Sequence, residues 1–164
     1  MSDQEVIEGL NIYRAVETCG ERVMRTWADT TEDDEIREGF AAIAEREANH
    51  ARALAERILA LGGQPGPSCV DDALAQFVAQ AEETTETRAR FESFNALVKG
   101  TGETAEVLAV CGQGIRTAFD QGDPETQTML QAILADEKLS MDWCAAHSSD
   151  QSTAATHASS ADAS

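Results

Sequence analysis

The sequence predicts an all-α protein organised as one helical bundle, and three observations carry that prediction. Aromatic residues make up only 5% of the 164-residue chain, so its core must be built mainly from Leu, Ile, Val, Ala and Met. The long segments are rich in Ala, Glu, Arg and Leu, the residues that propagate a helix at least cost. Glycine and proline gather at a few points instead of recurring, which leaves stretches long enough for bundle helices. A chain of this length fits one domain with a sizeable core.

The first helix is expected from about Asp3 to Ala28, with Ser2 and Glu5 as a capping box at its start. Its stripe reads Val6, Leu10, Tyr13, Glu17, Gly20, Met24 and Trp27. Residues 29–34 form a turn, with Thr31 the expected N-cap and acids in the next first turn. The second helix carries Phe40, Ile43, Leu54, Ile58 and Leu61 and stops at Gly62-Gly63, before Gln64-Pro65-Gly66-Pro67. So short a turn makes the first two helices an antiparallel hairpin.

A further helical stretch over about 70–98 carries Leu74, Phe77, Val78, Phe91, Phe94 and Leu97, and its polar middle, Glu82 to Glu86, predicts a bend or a frayed turn. Lys99-Gly100-Thr101-Gly102 breaks it, and a third long helix follows from about Glu103 to Phe119, with Thr101 as candidate cap. Asp123-Pro124-Glu125 is a clear helix restart, with an Asp N-cap, a Pro at the first position and an acid in the first turn. The last helix is expected to end near Ala146, where His147 is placed to cap it. Trp27 and Trp143 are expected as apolar anchors near the bundle ends. The domain therefore covers 1–146, and the Ser/Ala-rich tail 147–164, with nothing to bury, is expected to be disordered.

Ionisable residues interrupt these apolar stripes. Glu47 and His50 fill the two missing steps of the second helix's stripe, one turn apart on one face. An isolated buried charge is costly, so such a pair must be neutralised, paired or bound to a metal. The alternative to metal binding is a hydrogen-bonded pair or a salt bridge to Arg14 or Arg25 on the first helix. Glu17 occupies the first helix's stripe and Glu137 the last one's, within Leu130, Ile133, Leu134, Met141 and Cys144. For both, the alternative is a carboxylate at the edge of a loosely packed core. Three residues after Glu137, where a second histidine would complete the pattern, stands Ser140. Glu17 and Glu47 lie 30 residues apart across the first hairpin, and Glu106 lies 31 before Glu137 across the second. Glu106 is the first choice for the third helix, while Glu103, 34 before Glu137, matches the Val107, Val110 and Gly114 stripe better.

Two hairpins, each with a lone Glu on its first helix and a Glu-x-x-X motif on its second, resemble the ferritin-like superfamily over about residues 3–146, its rubrerythrin-type members in particular. The resemblance implies an antiparallel four-helix bundle with a long crossover between its second and third helices, here 70–98. It implies one or two iron or manganese ions at Glu17, Glu47, His50, Glu106 and Glu137, and chemistry on ferrous iron, peroxide or oxygen. In the two-ion arrangement Glu47 and Glu137 bridge, and Glu17 and Glu106 are terminal. If the chain is an enzyme, it is a di-metal or mono-metal oxidoreductase. Two departures stand out: Ser140 replaces the second histidine, and no rubredoxin-like Cys-pair module is present. They keep open a second reading, a metal-free degenerate bundle acting as a structural or partner-binding module. The resemblance also implies a homodimer as the expected assembly.

Thirty acidic residues against 12 basic ones give a net charge of −18, and Lys99 and Lys138 are the only lysines. Such a surface repels nucleic acid and anionic membranes, which excludes both as expected partners. Either a halophilic protein, hydrated and screened in a salt-rich cytoplasm, or an ordinary acidic protein has this composition. No apolar run approaches a membrane span, and the polar N-terminus lacks a leader's apolar core. Cys19, Cys69, Cys111 and Cys144 stand singly, as reduced and mostly buried thiols of a cytoplasmic protein would.

Overall fold

The computed structural model describes residues 3–100 and 105–161, with side chains as far as Ser149. Among them are six helices: α1 (Asp3–Asp29), α2 (Asp34–Ala60), α3 (Asp71–Glu83), α4 (Thr87–Val98), α5 (Ala105–Gln121) and α6 (Pro124–Ala161). Helices α1, α2, α5 and α6 form the bundle. The crossover is the α3–α4 pair, α3 lying against α1 and α4 against α6. None of the described helices is long and apolar enough to cross a membrane.

The hairpin turns follow from local chemistry. Gly62, at φ +78°, ends α2 in the left-handed region, and Gly62 N and Gly63 N donate to Leu59 O and Ile58 O at 3.0 and 2.9 Å. That pair of bonds closes the orphan carbonyls of the last turn. Asn11 then fastens the loop to α1: its Nδ2 donates to Gln64 O at 3.3 Å, and its Oδ1 accepts from Gly66 N at 2.9 Å. Asp123 caps α6, its Oδ1 accepting from Thr126 N at 2.8 Å.

Several local expectations need correction. The N-cap of α2 is Asp33, which accepts from Ile36 N at 3.0 Å. Thr31 instead closes α1, donating to Trp27 O at 2.6 Å. The crossover does break in its polar middle, between Glu83 and Thr87. Helix α6 runs past Ala146 to Ala161. Its alanines favour helix and no Gly or Pro interrupts it. His147 accordingly caps nothing; its Nδ1 donates to Trp143 O at 2.9 Å and its ring stacks on Trp143, 4.2 Å between centroids. Ser2, Thr101 and Glu103 lie outside the described residues.

The interior divides into two apolar halves. One holds Val23, Met24, Trp27, Phe40 and Ile43 with Leu74, Val78 and Phe91 of the crossover. The other holds Val6, Leu10, Tyr13, Leu54 and Ile58 with Ala118, Leu130 and Ile133. Glu17, Glu47, His50 and Glu137 fall between the two sets along their helices.

Candidate metal centre

The interrupted stripes place their ionisable residues in one layer. Glu17, Glu47 and His50 are 1%, 7% and 5% exposed, and Glu137 is half-buried. One oxygen each from Glu17 and Glu137 and one ring nitrogen of His50 lie within 4.8 Å of one another. His50 Nδ1 is 3.1 Å from Glu17 Oε2 and 3.2 Å from Glu137 Oε1. Buried Glu137 Oε1 has no aligned hydrogen-bond donor, which leaves an unclaimed lone pair facing the cluster. Glu47 stands beside the same group, near enough for the Glu17 and Glu137 carboxyls to act on its titration. Space for its carboxyl comes from Gly20, where a Cβ would stand 2.6 Å from Glu47 Oε2.

The electrostatics follow from burial and crowding. Burial first, then the charges of Glu17 and Glu137, push Glu47 up to about 11, so it is a neutral acid near pH 7. Glu17 is also raised, by burial first, against the opposing bond from His50. Burial works to lower His50, but the surrounding carboxyls of Glu137, Glu17 and Asp136 prevail and raise it to about 10. Buried Tyr13 is held far above its ordinary range by desolvation and by the neighbouring acids, Glu17 first.

The remaining sequence-predicted positions fall elsewhere. Glu106 is exposed and lines a surface groove with Cys69, Val70 and Ala73, so it does not join the group. The even hairpin spacing that singled it out ignores the rotation of α5, which turns position 106 outward. Ser140 is buried, and its Oγ donates to Asp136 O at 3.4 Å within its own helix, too long a bond to be strong. Neither arginine reaches Glu47 or His50: Arg14 donates to Gly66 O at 2.6 Å and Arg25 to Glu21 at 2.9 Å. All four cysteines are free, with Cys19, Cys111 and Cys144 buried. Burial pushes Cys19 and Cys144 up to about 12, so neither is a thiolate near pH 7.

Asp136, which no apolar stripe marks, is the fifth ionisable residue at this layer. Its Oδ2 lies 3.1 Å from His50 Nε2, so the ring is held by carboxylates at both nitrogens. Asp136 is itself partly exposed and off the apolar stripe. The signal was the Asp136-Glu137 doublet, since a buried histidine needs partners for two ring nitrogens.

A protein-family model for the ferritin-like domain matches residues 22–152. The chain belongs to the ferritin-like family. No curated protein matches it significantly. The ferritin-like match takes in Glu47, His50, Asp136 and Glu137, and begins just after Glu17.

Proposed function

We propose that this ferritin-like chain holds a single divalent ion, iron or manganese, at Glu17, Glu47, His50 and Glu137, and that it handles oxygen, peroxide or ferrous iron there. The observation that carries the reading is the convergence of Glu17, His50 and Glu137 donor atoms within 4.8 Å in an otherwise apolar interior. Three donors that close can share one ion, and carboxylates with one imidazole suit iron(II) or manganese(II). Glu137 Oε1, close to His50 Nδ1 but without an aligned donor, fits the same purpose. One ion is favoured over two by the described donor set, in which Glu106 is exposed and Ser140 bonds its own backbone.

When bound, the ion supplies Lewis acidity and one-electron redox chemistry. The chain's residues supply the rest. Asp136 accepts the Nε2 proton of His50, which fixes the tautomer that turns Nδ1 inward. Glu47 carries a proton that has to leave when a cation arrives. Tyr13 keeps its hydroxyl proton beside Glu17. The two apolar halves flank the layer and leave Glu17, Glu47 and His50 buried, so charge on those groups acts strongly.

The test is elemental analysis of protein purified without chelator, with melting curves before and after chelation. About one equivalent of iron or manganese per chain is expected, with a melting temperature that falls on chelation. Glu47→Ala and His50→Ala each lose the metal. Two equivalents would restore a two-ion centre. Metal-free protein whose melting ignores added iron(II) and manganese(II) overturns the reading. It would favour instead the degenerate bundle, for which the observation is that His50 is already bonded to carboxylates at both nitrogens.

A further inference from the structure

A cavity of about 110 Å³ adjoins the carboxyls of Glu47 and Glu137, enclosed by α1, the crossover helices and α5. Its walls are apolar, with Val16, Met24, Leu74, Phe77, Phe94 and Leu108 prominent, and among the described residues Glu47 and Glu137 are its only ionisable carboxyls. Native interiors contain few voids larger than a water molecule, so a space of this size beside the acidic layer is unusual. The polar part of the wall is confined to the Glu47–Glu137 face, so ordered water has partners there and almost none along the rest of the cavity. An anion would lose its hydration among hydrocarbon, with no cationic side chain in the wall to replace it. Apolar cavities of about 150 Å³ stay dry and accept benzene or xenon, so one slightly smaller suits the lower end of that class. The wall also grades outward: Leu74 and Met24 are buried, whereas Phe77, Phe94, Leu97 and Leu108 are partly exposed where the crossover meets α5.

We infer that the cavity is a binding site for a small uncharged apolar molecule, benzene-sized or smaller, seated against the Glu47–Glu137 face of the layer. The inference rests on the metal reading only for what such a molecule is placed beside, and its occupancy is measured without metal. Met24 lines the cavity and Met129 and Met141 do not, so ¹³C-methyl methionine spectra of the full chain carry a reporter and two internal controls.

Benzene added to chelated protein is expected to shift the Met24 methyl saturably and leave Met129 unmoved, while benzoate has no such effect. Leu108→Phe fills the space and weakens the effect by about tenfold or more. Val16→Leu does the same more gently should the larger variant not fold. No saturable shift, equal shifts at Met129, or equal binding of benzoate overturns the inference. A parallel titration with cobalt(II), followed by its visible spectrum, separates the two readings. Cobalt that fails to bind defeats the metal centre and leaves the Met24 result standing. Cobalt that binds while Met24 stays still defeats the cavity alone.

Discussion

His50 is the residue on which the electrostatics of the layer turn. Its folded pKa, about 10, lies above the ordinary imidazole value of about 6.5. The stabilisation it gives is therefore complete below about pH 6.5 and lost as the pH rises through about 10. Glu47 acts in the same direction for a different reason: the fold holds its proton, so stability falls as the pH climbs from the carboxyl range towards about 11. Metal-free protein should thus lose stability steadily on the alkaline side in urea titrations. Because both protons oppose a cation, metal affinity should rise with pH and binding should release protons. Calorimetry at pH 7 in buffers of different ionisation enthalpy measures that release, and a proton count of zero contradicts a protonated His50. Gly20→Ala tests the packing beside Glu47, since its Cβ would stand 2.6 Å from Oε2. The expected outcome is metal affinity about tenfold weaker, the scale of changes around a ligand. The metal-free melting temperature should move little, because alanine regains about 0.5–1 kcal/mol of helix preference. At this scale three stripe acids and one histidine were legible, because an apolar periodicity exposes whatever interrupts it. Asp136 was not, because it stands off the stripe and acts through another side chain.

Among the elements, the crossover depends on one buried cation. Arg90, 1% exposed, donates from Nε to Thr84 O at 2.9 Å and from Nη1 to Trp27 O at 3.1 Å and Thr31 Oγ1 at 2.7 Å. Nη2 reaches Thr30 Oγ1 at 2.6 Å. One guanidinium therefore closes the C-terminus of α1 and pins the break between α3 and α4, where Trp27 Nε1 also donates to Ala81 O at 2.8 Å. Arg90→Met should cost about 2–4 kcal/mol in urea denaturation, since it strands several buried acceptors. Arg90→Lys should fall between the two, because a single ammonium cannot span the fork. A loss under about 0.5 kcal/mol would mean that the crossover is held by its apolar contacts alone. Hairpin ends were readable because Gly62 and Asp123 announce themselves in the sequence. The N-cap of α2 was misplaced because Thr31 and Asp33 both suit the role, and only the path of the turn decides. Glu106 failed for a related reason: hairpin arithmetic gives distance along a helix, and its face depends on how α5 packs, close enough to α1 that a Cβ on Gly9 would lie 2.3 Å from Gly114 O.

For the molecule as a whole, 30 acids against 12 bases set a cost that no local contact removes. The bundle was legible because its signal is spread over a hundred residues of periodic sequence. The centre rests on a handful of side chains whose directions the period alone does not settle. The surface charge is legible in amount, and its consequence is a matter of ionic strength. At 0.1 M salt the screening length is about 10 Å, so acids on neighbouring helices repel; at 1 M it is about 3 Å and the repulsion is largely gone. Potassium chloride should therefore raise the melting temperature of the chelated protein, by about 2–4 °C for each kcal/mol of repulsion relieved in a chain of this size. Chloride is the right salt for this comparison, because sulfate would also strengthen apolar burial and blur the cause. A rise of about 5 °C or more between 0.1 and 1 M accords with adaptation to a salt-rich interior. A melting temperature that stays flat over that range identifies an ordinary acidic protein, whose like charges are already far enough apart to be screened.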